Sequence, residues 1–152
     1  MPSDLLTNII MRIHEAATFN SFPDWYIEEL CDGHDNRWSP TIRVKVTDPD
    51  NSSRRTWQSF KIVRVWHRTP DDSWIFGGGW RHHPNVTLSM MESHAIEMSL
   101  KCWIMGIPHG GAKGGIAFDP RLYSREDIIS ITCKTVEEAI ENVNLTYPAL
   151  KS

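Results

Sequence analysis

Two glycine-rich segments that carry basic side chains are the part of the sequence best suited to chemistry. They are Gly78–Pro84, which reads GGWRHHP, and Pro108–Ile116, which reads PHGGAKGGI. Glycines on both sides of Lys113 keep other side chains away, so that backbone and a small ligand can come close to its ammonium group. We therefore expect Lys113 to contact a ligand rather than to coat a surface.

Lys101 lies between these two segments, near the end of a predicted helix. A second ammonium group and partial burial both disfavour the charged form of a lysine, and they lower its pKa toward the range that acid–base chemistry uses. Lys101 is a candidate for this neighbour of Lys113. Taken alone, it fits equally well as a partner of the helix dipole. The glycine-rich segments on either side of the helix favour a shared site.

The glycines around Lys113 do not form a nucleotide-binding motif. A phosphate-binding loop of the type GxxxxGK[ST] needs Ser or Thr after the lysine, where this sequence has Gly114. No GxGxxG pattern opens a helix with an acidic residue at the distance that a dinucleotide-binding fold requires. We therefore expect this chain to bind no cofactor.

The seven histidines do not predict a metal site. His82 and His83 are adjacent, so on a strand they point to opposite faces. His67 and His109 have no companion at the helical spacing i, i+4 that suits metal binding. His94 is predicted to be a partly buried packing residue on the long helix.

Two helices and a hairpin are predicted in the first half of the chain. Apolar residues recur every three or four positions over 5–17, which indicates an amphipathic helix. Segment 23–33 begins with proline and closes with glycine, as a short second helix would. The alternating segment 41–46 and the β-favouring segment 57–67 predict two strands, and the turn-forming residues 48–53 join them.

The second half of the chain predicts two longer helices around a glycine-rich strand. Apolar residues over 87–105 keep helical spacing, and Gly106 stops that helix. Gly110–Phe118 is predicted to be a buried strand. Ser124 and Asp127 resemble a capping box that opens the last helix. The order helix, helix, strand, strand, strand, helix, strand, helix predicts an α/β fold with a mixed sheet of about four to five strands flanked by helices.

Composition indicates one globular domain and excludes several classes of partner. The chain has 152 residues, of which 40% are hydrophobic and 23% charged, so one core is expected. A net charge of -3 without a basic block argues against nucleic acid. No apolar run is long enough to cross a membrane, and no secretory leader is visible. Three cysteines without a CxxC pair indicate reduced thiols, and the expected location is the cytoplasm.

Seven tryptophans are unusual in a chain of this size. Trp is favoured in protein cores and in the cores of subunit interfaces. Core packing accounts for most of them, and one or two are candidates for contacts with another subunit.

The motifs around the long helix resemble one known family. GGxRxHP, a helix that ends with a lysine, PxGGAKGGI and Asp119–Pro120 are similar to the glutamate/leucine/phenylalanine/valine dehydrogenase family, nearest its glutamate dehydrogenases. The resemblance is specific over about residues 65–126. Upstream, it is limited to the order of helices and hairpin and to the segment 65–67. It implies the amino-terminal, substrate-binding and subunit-assembly domain of such an enzyme.

The resemblance also implies roles for individual residues. Lys113 falls at the catalytic lysine, which helps water to attack the imino acid. Lys101 falls at the lysine that binds the substrate α-carboxylate. Gly78 and Gly79 match glycines that line the same pocket, and Met98, one turn before Lys101, would face it.

The same resemblance implies a reaction that this chain does not perform alone. The complete enzymes deaminate an amino acid oxidatively to a 2-oxo acid, with NAD or NADP as cofactor, and they assemble as dimers to hexamers. Residues 1–152 are then expected to form a single substrate-binding and oligomerisation domain. The acidic catalytic partner and the nucleotide-binding domain lie beyond this segment, so a truncated chain or a separate nucleotide-binding chain is expected.

One position departs from the pattern of the glutamate enzymes. Their lysine that grips the side-chain carboxylate of the substrate corresponds to Gly77 here. Glutamate as substrate then requires Arg81, His82 or His83 to reach the pocket, and relatives that act on apolar amino acids also lack this lysine. The alternative hypothesis is a non-catalytic oligomerisation or regulatory module derived from the family.

Overall fold

A computed structural model of the chain describes residues 5–32, 36–48, 50–67 and 75–146. The helices are α1 (Leu5–Asn20), α2 (Asp24–Asp32), α3 (Leu88–Ile104) and α4 (Arg125–Thr146), and a short 3-10 turn covers Pro120–Leu122. The strands are β1 (Asn36–Trp38), β2 (Thr41–Asp48), β3 (Asn51–His67), β4 (Phe76–Gly77), β5 (Trp80–His82) and β6 (Gly110–Ile116). In this part of the chain no helix is both long enough and apolar enough to span a bilayer.

The long strand β3 organises the sheet. Its first part forms the hairpin with β2, and its second part lies between β1 and β6, all in antiparallel pairs. Strand β6 pairs on its other side with β4 and β5, both in parallel orientation. Val65 of β3 lies opposite Lys113 of β6, so the predicted site strand occupies an interior position of the sheet.

Helices cover both faces of this sheet because successive strand residues point to opposite sides. On one face, Ile62 packs with Ile131 of α4. On the other, Val63 packs with Met91 and Ala95 of α3. The α4 face is completed by the buried side chains of Ile42, Val44, Val46, Phe60, Ile116 and Phe118.

The first turn of α4 is tied to the β2–β3 hairpin by Asp127. The Ser124 hydroxyl accepts a hydrogen bond from the Asp127 backbone N–H at 3.1 Å, which confirms that half of the predicted capping box. The Asp127 carboxylate accepts from the Ser124 hydroxyl at 2.7 Å and from the Thr47 N–H at 3.1 Å. Burial alone would raise the pKa of Asp127, but these hydrogen bonds and the charge of Arg55 together lower it.

The predicted α/β class, the four helices and the main strands are confirmed, with two differences. Among the described residues the sheet has six strands rather than four or five, because β1, β4 and β5 are pieces of only two or three residues. The turn predicted at 48–53 is shorter, since β3 already begins at Asn51 opposite Asp48. Gly33, predicted to close the second helix, lies outside the described residues.

Candidate functional site

Within the sheet, Lys113 of β6 has Val65 of β3 on one side and Gly79, just before β5, on the other. Trp80 of β5 pairs with Gly114, and Gly77 of β4 pairs with Gly111 in the same parallel offset. This offset places Gly79 beside Lys113. The Gly79 carbonyl accepts hydrogen bonds from the Gly114 N–H at 3.0 Å and from Arg64 Nη1 at 3.1 Å, which fix its position.

The side chain of Lys113 belongs to the face of the sheet that α3 covers. A Cβ at Gly111 would lie 2.1 Å from the carbonyl oxygen of Ala95, and one at Gly115 would lie 2.7 Å from Val86. Both positions therefore face α3 and the segment that leads into it. Lys113 lies midway between them and shares their face, because side chains alternate along a strand. The two glycines let α3 pack directly against the backbone of β6.

The charge of Lys101 acts on Lys113. Lys113 is half-buried in β6, and Lys101 is exposed in the last turn of α3. Burial is the main cause that lowers the pKa of Lys113, followed by the charges of Arg81, Lys101 and Arg64, while Glu97 opposes them. The predicted effect of Lys101 on Lys113 is therefore present in the structure.

The three glycines before β5 differ in the space that each leaves for a side chain. A Cβ at Gly78 would lie 1.6 Å from the carbonyl oxygen of Ala112, so the backbone can pass here only without a side chain. A Cβ at Gly79 would meet nothing within 4 Å, which leaves open space beside Lys113. A Cβ at Gly77 would lie 3.6 Å from the Cys102 sulfur, an ordinary contact. A larger side chain at residue 77 is therefore sterically allowed.

A chain of hydrogen bonds runs along the rim of the site. Arg81 Nη1 lies 3.2 Å from His94 Nε2, and because a guanidinium only donates, this ring nitrogen accepts. His94 Nδ1 then carries the proton and donates to Glu97 Oε2 at 3.0 Å. His94 is partly buried as the sequence predicts, but it also links two charged side chains. The spacing of His94 and Glu97 on one helix face was the available signal for this pair.

The three basic residues Arg81, His82 and His83 lie in different surroundings. Arg81 is the one whose charge lowers the pKa of Lys113. The His82 ring lies 5.0 Å from the Phe118 ring in a tilted arrangement, and burial lowers the pKa of the imidazole. His83 is exposed and its Nδ1 accepts the Asn85 N–H at 3.1 Å. Of the three side chains considered for a second substrate contact, Arg81 is the one associated with the lysines.

A buried polar node fixes α3 relative to β6. The Gly111 N–H donates to Ser99 Oγ at 2.7 Å, and Ser99 Oγ lies 2.7 Å from His67 Nδ1. His67 Nε2 lies 2.8 Å from the Leu30 carbonyl oxygen, so it donates, and in the neutral ring the Ser99 hydroxyl proton is shared between His67 Nδ1 and the His67 carbonyl oxygen at 3.1 Å. Sequence reasoning missed this node, which sets the distance between the strand of Lys113 and the helix of Lys101. Met98 is half-buried on α3, one turn before Lys101.

The arrangement can accommodate a small anion beside a group that can release a proton. Lys113, Lys101 and Arg81 supply positive charge, Gly79 leaves space, and the lowered pKa of Lys113 eases the release of a proton at Nζ. The strand that carries Lys113 lies in the interior of the mixed sheet, and the helix that carries Lys101 packs on its face. The sequence family described as Glu/Leu/Phe/Val dehydrogenase, dimerisation domain, matches residues 40–147, and the chain belongs to this family.

Known relatives carry the same likeness over most of the chain. It is 47% identical over 128 residues to the NADP-specific glutamate dehydrogenase of Synechocystis sp., covering 84% of this chain and 28% of that protein. It is 53% identical over 121 residues to the cryptic catabolic NAD-specific glutamate dehydrogenase GudB of Bacillus subtilis, covering 78% and 26%. The chain thus spans little more than a quarter of the length of these relatives.

A solved structure supports the same fold. The hetero-hexameric glutamate dehydrogenase from Thermus thermophilus, in a form described as Leu bound, superposes with a TM-score of 0.63 at 27% identity. The match covers 84% of this chain and 29% of that one. The α/β architecture with two helix-covered sheet faces is therefore that of glutamate dehydrogenases.

Proposed function

We propose that this domain binds the carboxylate of an amino acid or a 2-oxo acid between Lys101 and Lys113. It serves as the substrate-binding part of an enzyme that deaminates an amino acid oxidatively to a 2-oxo acid. The observation that carries the proposal is the placement of Lys113 on the α3 face of the sheet, beside the open space at Gly79, where burial and the charges of Arg81 and Lys101 lower its pKa. Such a concentration of positive charge beside open backbone is suited to a small anion.

Each residue of the site has a role in this proposal. Lys101, exposed at the end of α3, takes the α-carboxylate as a mobile cation. Lys113 is the catalytic residue, because its lowered pKa allows Nζ to give and take a proton near neutral pH more readily than an ordinary lysine. Gly78 and Gly79 line the pocket, and Met98 supplies an apolar wall on the helix side.

The cofactor of the complete enzyme would be NAD or NADP, as the names of the relatives state for those proteins. The residues described here do not fit a dinucleotide. Helices α3 and α4 open with hydroxyl caps, at Thr87 and Ser124, instead of a glycine-rich turn. Residues 1–152 are therefore proposed as a substrate-binding and oligomerisation domain, with the nicotinamide held by a further domain or a separate chain. Hydride transfer then requires the nicotinamide that this further part holds.

In this proposal, residue 77 influences whether the site accepts an apolar or an acidic amino-acid side chain. Without a lysine at this position, the nearest side-chain neighbour is the buried Cys102 thiol, which is an apolar surface. Arg81 provides a cation on the same face as Lys113 but is hydrogen bonded to His94. Both apolar and dicarboxylic substrates thus remain candidates, and ligand binding separates them.

Assembly into a homo-oligomer, from dimer to hexamer, is part of the same proposal. Trp25 and Trp57 expose 63% and 60% of their surface, and Trp is enriched in interface cores. The family description names this region a dimerisation domain. Cys31, Cys102 and Cys133 are all unpaired, which fits a reducing compartment such as the cytoplasm.

Ligand-dependent thermal stability tests the proposal. Because a ligand that binds only the folded state stabilises it, 2-oxo acids should raise the melting temperature of the isolated chain. Lys113→Ala and Lys101→Ala should each abolish that rise, while Lys45→Ala on the outer strand β2 should leave it unchanged. A wild-type chain that responds to no amino acid or 2-oxo acid would overturn the proposal.

The second candidate function is a non-catalytic assembly module. The Gly77 position favours it, because the site lacks a cation where glutamate enzymes are implied to need one. Light scattering that shows a stable oligomer, together with no thermal response to any carboxylate ligand, would support this alternative.

A further inference from the structure

On the α4 face of the sheet, Arg64 lies against two tryptophan rings. Its guanidinium carbon is 5.0 Å from the ring centroid of Trp80 and 5.7 Å from that of Trp66, both within the range of cation–π contact. Arg64 of β3 and Trp80 of β5 both pair with Gly114 of β6. The three residues therefore form one row across the sheet, on the face opposite to the side chain of Lys113.

Gly114 makes this row possible. A Cβ at this position would collide with the six-membered ring of Trp80, so only glycine lets the indole lie directly against β6. The ring from β5 thus occupies the space over Gly114, and the Arg64 side chain reaches it from β3. One of the glycines that flank Lys113 is therefore explained by packing on the opposite face of the sheet.

Arg64 makes a second contact with the backbone beside Lys113. Its Nη1 donates to the Gly79 carbonyl at 3.1 Å, and the Gly114 N–H donates to the same oxygen at 3.0 Å. A Cβ at Gly79 would meet nothing within 4 Å, so side-chain packing among the described residues does not fix this position. Glycine also has more conformational freedom than any other residue. The two hydrogen bonds to its carbonyl therefore hold the open side of the lysine site.

We propose that Arg64 is a positioning residue of the carboxylate site: held against the two indole rings, it fixes the Gly79 carbonyl and thereby the open space beside Lys113. This inference rests on the proposed function, and Arg64 acts through Gly79 rather than by touching the ligand. Burial and the charges of Arg81 and Lys101 lower the pKa of Lys113, and the charge of Arg64 adds to them. Arg64 thus affects the site through its position and through its charge.

Substitution by lysine separates these two effects. Arg64→Lys keeps the positive charge, but a compact ammonium group cannot place a flat face against two rings while an N–H at its edge donates to a carbonyl. Arg43→Lys is the matched control, because the Arg43 guanidinium lies 5.9 Å from the ring centroid of Trp57. That pair belongs to the β2–β3 hairpin, which does not include the strand of Lys113.

Amide hydrogen exchange, followed by NMR on the ligand-free chain, tests the contact with Gly79. Because β5 is only three residues long, we expect the Gly114 N–H to exchange through local opening. Arg64→Lys should speed this exchange by about tenfold, since the acceptor is held less firmly. The Gly111 N–H, which donates to Ser99 Oγ, should keep its wild-type rate, and Arg43→Lys should change neither amide. Equal acceleration of both amides would indicate a general loss of stability and would overturn the positioning role.

Ligand binding tests the consequence for the site. Calorimetric titration with 2-oxohexanoate and 2-oxoglutarate should show an affinity about tenfold lower in Arg64→Lys than in the wild type. The pKa of Lys113 should stay low in this variant, because the charge at residue 64 is kept. Arg43→Lys should bind as the wild type does. Wild-type affinity in Arg64→Lys would show that Arg64 acts through its charge alone, which would overturn the positioning role.

The two measurements distinguish this inference from the proposed function. If the wild type binds neither 2-oxo acid, the proposed function fails, and the Gly114 exchange in Arg64→Lys then decides whether Arg64 fixes Gly79. If the wild type binds ligand but Arg64→Lys changes neither exchange nor affinity, Arg64 is not a positioning residue and the proposed function stands. A lower affinity with unchanged Gly114 exchange would also overturn the inference, because Arg64 would then act without Gly79.

Discussion

The two faces of the sheet carry different kinds of side chain. On the α4 face, β-branched and aromatic side chains such as Phe60 and Ile62 pack against Ile131, and the buried Asp127 carboxylate receives hydrogen bonds. On the α3 face, β6 contributes glycines and Lys113, and the helix lies directly on its backbone. One face is arranged for stability, while the other tolerates cations that repel one another. Strand β3 contributes to both faces, because its successive side chains point to opposite sides of the sheet.

The largest expected effect is a loss of stability when a buried side chain of the α4 face is shortened. Ile131 is fully buried among the strands, so Ile131→Ala should lower the free energy of unfolding by about 2–5 kcal/mol, through lost burial and the cavity left behind. Urea denaturation measures this change. Affinity for 2-oxo acids, determined on the folded fraction at low temperature, should stay at the wild-type value. A clear loss of affinity would show that the two faces are not independent.

The next effect concerns the glycines of the α3 face. Gly78→Ala places a Cβ onto the Ala112 carbonyl, and the forced backbone shift should lower the free energy of unfolding by about 1–3 kcal/mol. Gly79→Ala is the matched control, because its Cβ meets nothing nearby, and it should change stability by about 0.5 kcal/mol or less. Equal effects of the two substitutions in denaturant titrations would contradict the close approach at Gly78.

The sequence predicts those elements of this molecule whose residue pattern is long or local. The helical spacing over 87–105 predicts α3, and glycines on both sides of Lys113 single out the site strand. The short strands β4 and β5 are beyond such reasoning, since two or three residues show no period. Their parallel register against β6 is set by tertiary packing.

The polar links around the site depend on the same tertiary packing. The contact between Arg81 and His94 requires β5 and α3 to meet, which no local spacing encodes, whereas the i, i+3 spacing of His94 and Glu97 within α3 does predict their pair. The contact between His67 and Ser99 likewise joins β3 to α3. Both arise only once the register of β3, β5 and β6 is fixed.

A smaller effect is the pH dependence of the stability that Asp127 contributes on the α4 face. The folded-state pKa of Asp127 lies below its usual value of 3.8, so ionised Asp127 stabilises the fold above that pH and loses this contribution as the pH falls through the folded-state pKa. Asp127→Asn should lower stability by about 1–2 kcal/mol at neutral pH, because the charge-assisted hydrogen bonds are weakened. The difference from wild type should shrink under acid conditions. A constant difference from pH 7 down to strong acid would contradict the assignment.

The substitution with the smallest expected effect on stability changes the ligand selectivity of the α3 face. Gly77→Lys adds a cation where the contact with Cys102 leaves room, so stability should change little. Affinity for a dicarboxylate such as 2-oxoglutarate should rise by about tenfold over that for 2-oxohexanoate, since only the former offers a second charge. Calorimetric titration of both ligands measures the ratio. An unchanged ratio would show that residue 77 does not face the ligand.

The most direct measurement is an NMR titration of the chain labelled with carbon-13 at the lysine Cε atoms. Lys113 should titrate below the ordinary lysine value of 10.5, and its pKa should rise in Lys101→Met and when a 2-oxo acid binds, because both changes reduce the positive charge it faces. If Lys113 titrates at the ordinary value and responds to neither the substitution nor the ligand, the two lysines do not form a shared carboxylate site.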